Sequence, residues 1–135
     1  MLWKACAILL SASNLVASHF VLNIPTSLGF DDDNESQAPC GGFDPASRAA
    51  VTSWKTSGGA IGILSTHKNV TWEYKAALVA DLNQWLPLTP TLRQTGTGNF
   101  CEPQIPGIEG SWLDQPAVLQ VIQHGPEGAL YQVCS

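Results

Sequence analysis

The chain has 135 residues, with six lysines and arginines against eleven aspartates and glutamates, a formal charge of −5 and 44% hydrophobic residues. An acidic chain with no basic stripe is not built to hold nucleic acid. Its length suits one domain around one modest core, and it has no apolar run of the ~20 residues that a bilayer span needs.

Residues 1–18 read as a secretory signal. Lys4 gives a positive start, Cys6-Ala7-Ile8-Leu9-Leu10 a short apolar centre, and Val16 and Ser18 small residues at the −3 and −1 positions of a cleavage site. Cleavage is expected before His19, with cleavage one residue earlier as the rival. Removing 18 of 135 residues leaves 117, and losing Lys4 takes the formal charge from −5 to −6. Cys40, Cys101 and Cys134 would remain. Secreted cysteines usually pair, and three allow three single bridges, each leaving one thiol over. The sequons Asn34-Glu35-Ser36 and Asn69-Val70-Thr71 fit a secreted or cell-surface glycoprotein.

From His19 onward, strand patterns dominate. His19 to Ile24 alternates, with Phe20, Leu22 and Ile24 on one face, and Pro25 ends it. Asp31-Asp32-Asp33 reads as a solvated acidic loop, because it lacks the alternating ligands and turn glycine of a calcium loop. Ala60 to Leu64 and Asn69 to Tyr74 are rich in β-branched and aromatic residues. Lys75 to Trp85 reads as continued strand followed by a turn, against a short helix with Leu78, Leu82 and Trp85 on one face. Ala117 to Ile122 and Ala129 to Cys134 flank a hairpin turn at His124-Gly125-Pro126-Glu127-Gly128. Glycine and proline clusters at 39–42, 58–59, 96–98 and 103–110 separate the segments. The pattern predicts an all-β, antiparallel, immunoglobulin-like or fibronectin-like β-sandwich.

A histidine at a chain's first position has a chemistry no internal histidine has. Its α-amine and ring Nδ1 can close a six-membered chelate on one metal ion. Both groups shed their protons to a metal near neutral pH, the amine from a pKa of ~7.7–8.0 and the ring from ~6.5. A second imidazole completes three nitrogens in a T, a histidine brace, and such tetragonal nitrogen sites favour Cu(II). The two other histidines are His67, between two expected strands, and His124, in the expected hairpin turn. A turn histidine is ordinarily only solvated, and His67 draws its case from pairing with His19.

The motifs His19-Phe20, Ile24-Pro25, Gly29-Phe30-Asp31, Pro39-Cys40-Gly41-Gly42, Gly98-Asn99-Phe100-Cys101, Leu119-Gln120-Val121 and Gly128-Ala129-Leu130-Tyr131 run through nearly the whole mature chain. Together they resemble the fungal copper-acquisition proteins related in fold to lytic polysaccharide monooxygenases (LPMOs). The resemblance implies an LPMO-like β-sandwich holding one Cu(II) ion through the amine and ring of the first histidine, a second histidine and an aspartate. His19 matches the first position and His67 the second. The family's aspartate aligns just past Cys134, where this chain stops at Ser135, so a C-terminal truncation is suspected. Leu28 stands where relatives often carry arginine, and a lipid anchor of the kind many relatives carry is not seen.

The first reading is therefore a non-catalytic, secreted or cell-surface copper carrier, delivering to a membrane reductase or transporter. The second is a copper-dependent LPMO, which would need exposed aromatics to dock on a polymer, whereas Trp54, Trp72, Trp85 and Trp112 are more simply core residues. The third is a metal-free structural domain of the cell surface.

Overall fold

The computed structural model describes residues 19–134, with Cys134 described in its main chain only. The expected signal segment lies outside the described residues. Eight strands, β1 (Phe20–Ile24), β2 (Gly59–Ser65), β3 (Asn69–Leu78), β4 (Leu86–Pro87), β5 (Leu92–Thr95), β6 (Gly98–Ile105), β7 (Ala117–Gly125) and β8 (Gly128–Cys134), form two sheets. One sheet has the order β1-β2-β6. The other runs β4-β3-β7-β8, with β5 also paired to β3. All pairings are antiparallel. The protein is thus the all-β sandwich that the strand pattern predicts. No helix among the described residues is long and apolar enough to cross a membrane.

The alternation of β1 decides where the chain's early residues point. Phe20 and Leu22 are buried, and Phe20 meets the Trp72 ring edge-on at 5.0 Å between centroids. Around them pack Ile61, Ile63, Val70, Tyr74, Ile105, Leu119 and Val121. Removing a phenylalanine of this kind costs ~3–5 kcal/mol, so the residue after His19 anchors the start of the domain. The alternation does not reach Ile24. The ladder with β2 slips between Leu22 and Ile24, and Ile24 is left 51% exposed over Gly62. A bulge inserts a residue and reverses the faces beyond it.

Lys75 to Trp85 behaves as the strand-then-turn reading expects: β3 runs on to Leu78 and a single 3-10 turn, Val79–Asp81, follows. The hairpin turn is shorter than its punctuation suggests. Gly125 pairs with Gly128, so only Pro126 and Glu127 lie between the strands, and His124 is a strand residue opposite Ala129. Strand β6 crosses Pro103, which reads as a breaker. It is tolerated because β6 is a sheet edge, where a missing N–H removes no ladder bond.

The long connection 25–58 closes the outer edge of β8. Leu28 N donates to Val133 O and Tyr131 N to Glu35 O, both at 2.8 Å. Gly41, at φ +62°, makes that closure feasible, since a Cβ there would sit 2.3 Å from Tyr131 O. Strand edges covered in this way do not template aggregation.

Candidate metal centre

The register of β1 against β2 places His19 and His67 at one end of the sandwich. Phe20 pairs with Ser65, and the next pair outward is His19 with Thr66. Thr66 N donates to His19 O at 3.1 Å, Thr66 Oγ1 donates to the same oxygen at 2.9 Å, and His19 N reaches Thr66 Oγ1 at 2.9 Å. His67 follows directly on the residue that grips His19.

The His19 ring is oriented by the loop. Its edge meets the Phe30 ring with centroids 6.3 Å apart, and Nε2 lies 3.2 Å from Asp32 O. A carbonyl oxygen only accepts, so in the neutral ring Nε2 carries the proton and Nδ1 the lone pair. That tautomer is the one an amine–Nδ1 chelate requires, and second partners of this kind commonly fix ligating imidazoles. In an unprocessed chain, His19 N is a peptide nitrogen with no lone pair to give.

His67 is 6% exposed and its ring lies against the end of β7. A Cβ added at Gly125 would sit 3.2 Å from both His67 Cε1 and Nε2. Gly125→Ala is therefore expected to push the ring aside by a few tenths of an ångström. The change in the His67 ring proton shifts measures it, and unchanged shifts would show that the ring has room to spare.

Beneath the two histidines lies a set of buried polar groups that sequence reasoning missed. Glu35, Ser65, Gln123 and Gln132 are each no more than 2% exposed. Gln132 Nε2 donates to Phe20 O and to Glu35 Oε2, while its Oε1 accepts from Leu22 N at 2.9 Å. Gln123 Nε2 donates to Ser65 Oγ at 2.9 Å, and Ser65 Oγ accepts from His67 N at 3.3 Å. Burial pushes the Glu35 carboxyl up to about 7 against the opposing pull of the Gln132 hydrogen bond and the nearby His19 charge. Glu35 Oε1 and Gln123 Oε1 have no hydrogen-bond partner.

Asp31 to Asp33 form a loop stitched by Asp31, whose carboxylate accepts from Asp33 N at 3.1 Å and from Asn34 Nδ2 at 2.7 Å. His124 contacts Glu73 Oε2, which holds the Glu73 carboxyl below its usual range. Among the described residues Cys40 and Cys101 form no disulfide; burial and nearby Asp44 push the buried Cys40 thiol up to about 12, and Cys101 is exposed. Trp72 is buried, and Trp54 and Trp85 pack on core clusters. A cleft of about 670 Å³ beside Trp54 and Trp112 contains neither histidine.

Once the chain starts at His19, the His19 end would offer three nitrogens from two residues, namely one amine and two imidazoles. Among the described residues no three His, Cys, Asp or Glu side chains gather to hold an ion. The profile of the family described as copper acquisition factor BIM1-like matches residues 17–135. The chain belongs to the BIM1-like copper acquisition factor family. The relatives of this family member include an uncharacterized protein of Aspergillus fumigatus, 33% identical over 133 residues that cover 93% of this chain and 55% of that protein. Another is the lytic polysaccharide monooxygenase-like protein X325 of Yarrowia lipolytica, 28% identical over 140 residues that cover 94% of this chain and 50% of that one. The chain thus spans about half the length of the curated relatives it matches.

Proposed function

We propose that this protein captures one Cu(II) ion outside the cell and passes it on without catalysing a reaction. The ligands are His19, through its α-amine and Nδ1, and the His67 imidazole. The observation that carries the reading is the Asp32 carbonyl at His19 Nε2, which leaves the lone pair on the chelating nitrogen. Family membership supports copper as the cargo. The amine becomes a ligand only when the chain starts at His19, so the reading includes removal of residues 1–18. A membrane transporter or reductase would receive the ion.

A carrier differs from an oxygenase in what surrounds the metal. Three of the four tryptophans that could dock a polymer are engaged elsewhere, Trp72 inside the core and Trp54 and Trp85 against core clusters, and Trp112 lines a cleft that contains neither histidine. The test is a pair of measurements on secreted protein. One is Cu(II) titration, expected to saturate at one ion per chain. The other is oxidation of cellulose or chitin with ascorbate, expected not to exceed that of free copper. Sustained turnover above free copper would overturn the carrier in favour of the monooxygenase, and no Cu(II) binding at all would favour a structural domain.

Export would also decide which sequon carries a sugar. Asn69 is exposed at the start of β3, whereas Asn34 is half-buried with its amide held by Asp31 and Gln37. Secretion from a eukaryotic host is expected to glycosylate Asn69 in preference to Asn34. Peptide mass mapping after deglycosylation checks this; occupancy at Asn34 alone would contradict it.

A further inference from the structure

We infer that Gln123 and Gln132 are positioning residues, one for each histidine, and that this is why two amides stand inside the sandwich. The inference rests on the copper reading for its purpose, but its geometry stands independently. Gln123 and Gln132 continue, on neighbouring strands, the inward-facing rows that Leu119, Val121 and Leu130 begin. Leucine or valine would fill such positions at lower cost, because each buried amide must recover its lost hydration by hydrogen bonding.

Each amide recovers it on a different histidine-bearing segment. Gln132 acts across the sheets as one more peptide unit beside β1. It accepts from Leu22 N and donates to Phe20 O, which are backbone groups on the edge of β1 that no strand covers. These bonds fix the main chain on both sides of Val21, directly after Phe20, and so hold the strand from which His19 projects. Its second N–H goes to Glu35 Oε2, which ties that strand to the loop whose Asp32 carbonyl orients the His19 ring. Gln123 works on the other histidine. It holds Ser65 Oγ, and Ser65 Oγ holds His67 N. The two histidines come from separate segments, so a chelate joining them needs their separation set before the ion arrives. Buried hydrogen bonds of this kind supply that rigidity, although Gln123 Oε1 and Glu35 Oε1 stay without a partner.

The test uses the chain starting at His19, first without metal. Ring resonances of His19 and His67 are followed in Gln123→Met, Ser65→Ala and Gln132→Met. Gln123→Met and Ser65→Ala are expected to shift or broaden the His67 signals and leave those of His19 in place; Gln132→Met is expected to do the reverse. If Gln132→Met does not fold, Gln132→Asn, which withdraws the amide while keeping it polar, reads the same link. Ser65→Thr, which retains the oxygen, is expected to preserve the His67 signals. Val118→Ala, at the far end of β7, supplies the destabilised control and is expected to move neither ring. Cu(II) affinity is then expected to fall 10–100-fold in the three link-breaking variants and to hold in Ser65→Thr. Folded variants whose ring signals are unchanged, or in which both histidines respond alike, would overturn the inference. The selective ring shifts without any Cu(II) binding by the parent chain would support the positioning and sink the copper reading alone.

Discussion

His67→Ala is expected to weaken Cu(II) binding by more than about 100-fold, since second partners of a ligand already cost 10–100-fold and this change removes the ligand itself. The fold should survive. His67 is not among the Phe20, Trp72 and Val121 core cluster, and part of the space its ring leaves lies against Gly125. The nitrogen-rich Cu(II) signal in electron paramagnetic resonance should lose one nitrogen. His124→Ala serves as the comparison. It removes the contact with Glu73 on the surface and is expected to leave the copper signal as it was. An unchanged signal in His67→Ala would mean that another group opposes His19.

The second large effect is on stability. The metal-free protein is expected to lose stability as pH rises from about 4.5 to about 7, because Glu35 holds its proton more tightly folded than unfolded. The folded state binds the extra proton within that window, so the contribution is complete below the unfolded value and gone above the folded one. Each tenfold change in proton affinity is worth ~1.4 kcal/mol, which puts the loss at roughly 3 kcal/mol. Glu35→Gln removes the titrating group while keeping an acceptor for Gln132. Urea unfolding at several pH values should show its stability flat across the window and above the parent's at pH 8. A variant that keeps the parent's slope would place the titration elsewhere. Other carboxylates differ in kind: Glu73, held below its usual range by His124, contributes stability that is lost towards acid instead.

The fold was legible where two signals agreed. Alternation with β-branched or aromatic residues marked β1, β2, β3, β7 and β8, and the glycines between them marked turns. It was illegible where one signal misled. Pro103 hid β6, because a sequence does not say which strand will be an edge. His124 looked like a turn residue because the hairpin closes tightly on Gly125 and Gly128. The two site histidines were legible to different degrees. His19 followed from chemistry, since only a first residue offers an amine beside its ring. His67 came from family resemblance, and its neighbourhood with His19 follows from one register, Phe20 opposite Ser65. The layer beneath them was not legible. Glu35 sits in a sequon just past the acidic Asp31-Asp32-Asp33 run, where a buried carboxyl is not expected, and glutamines on strands carry no local mark of burial. Their role exists only between segments more than 50 residues apart in sequence.

The measurement that bears most directly on the copper centre compares two chains, one beginning at His19 and one with a single residue added before it. The added residue turns the α-amine into a peptide nitrogen and moves the new amine out of chelating reach, while both imidazoles remain. One tightly held Cu(II) per chain is expected for the first and an affinity at least about 100-fold lower for the second, with a changed nitrogen pattern in the copper signal. Equal affinity and the same signal from both chains would contradict that expectation.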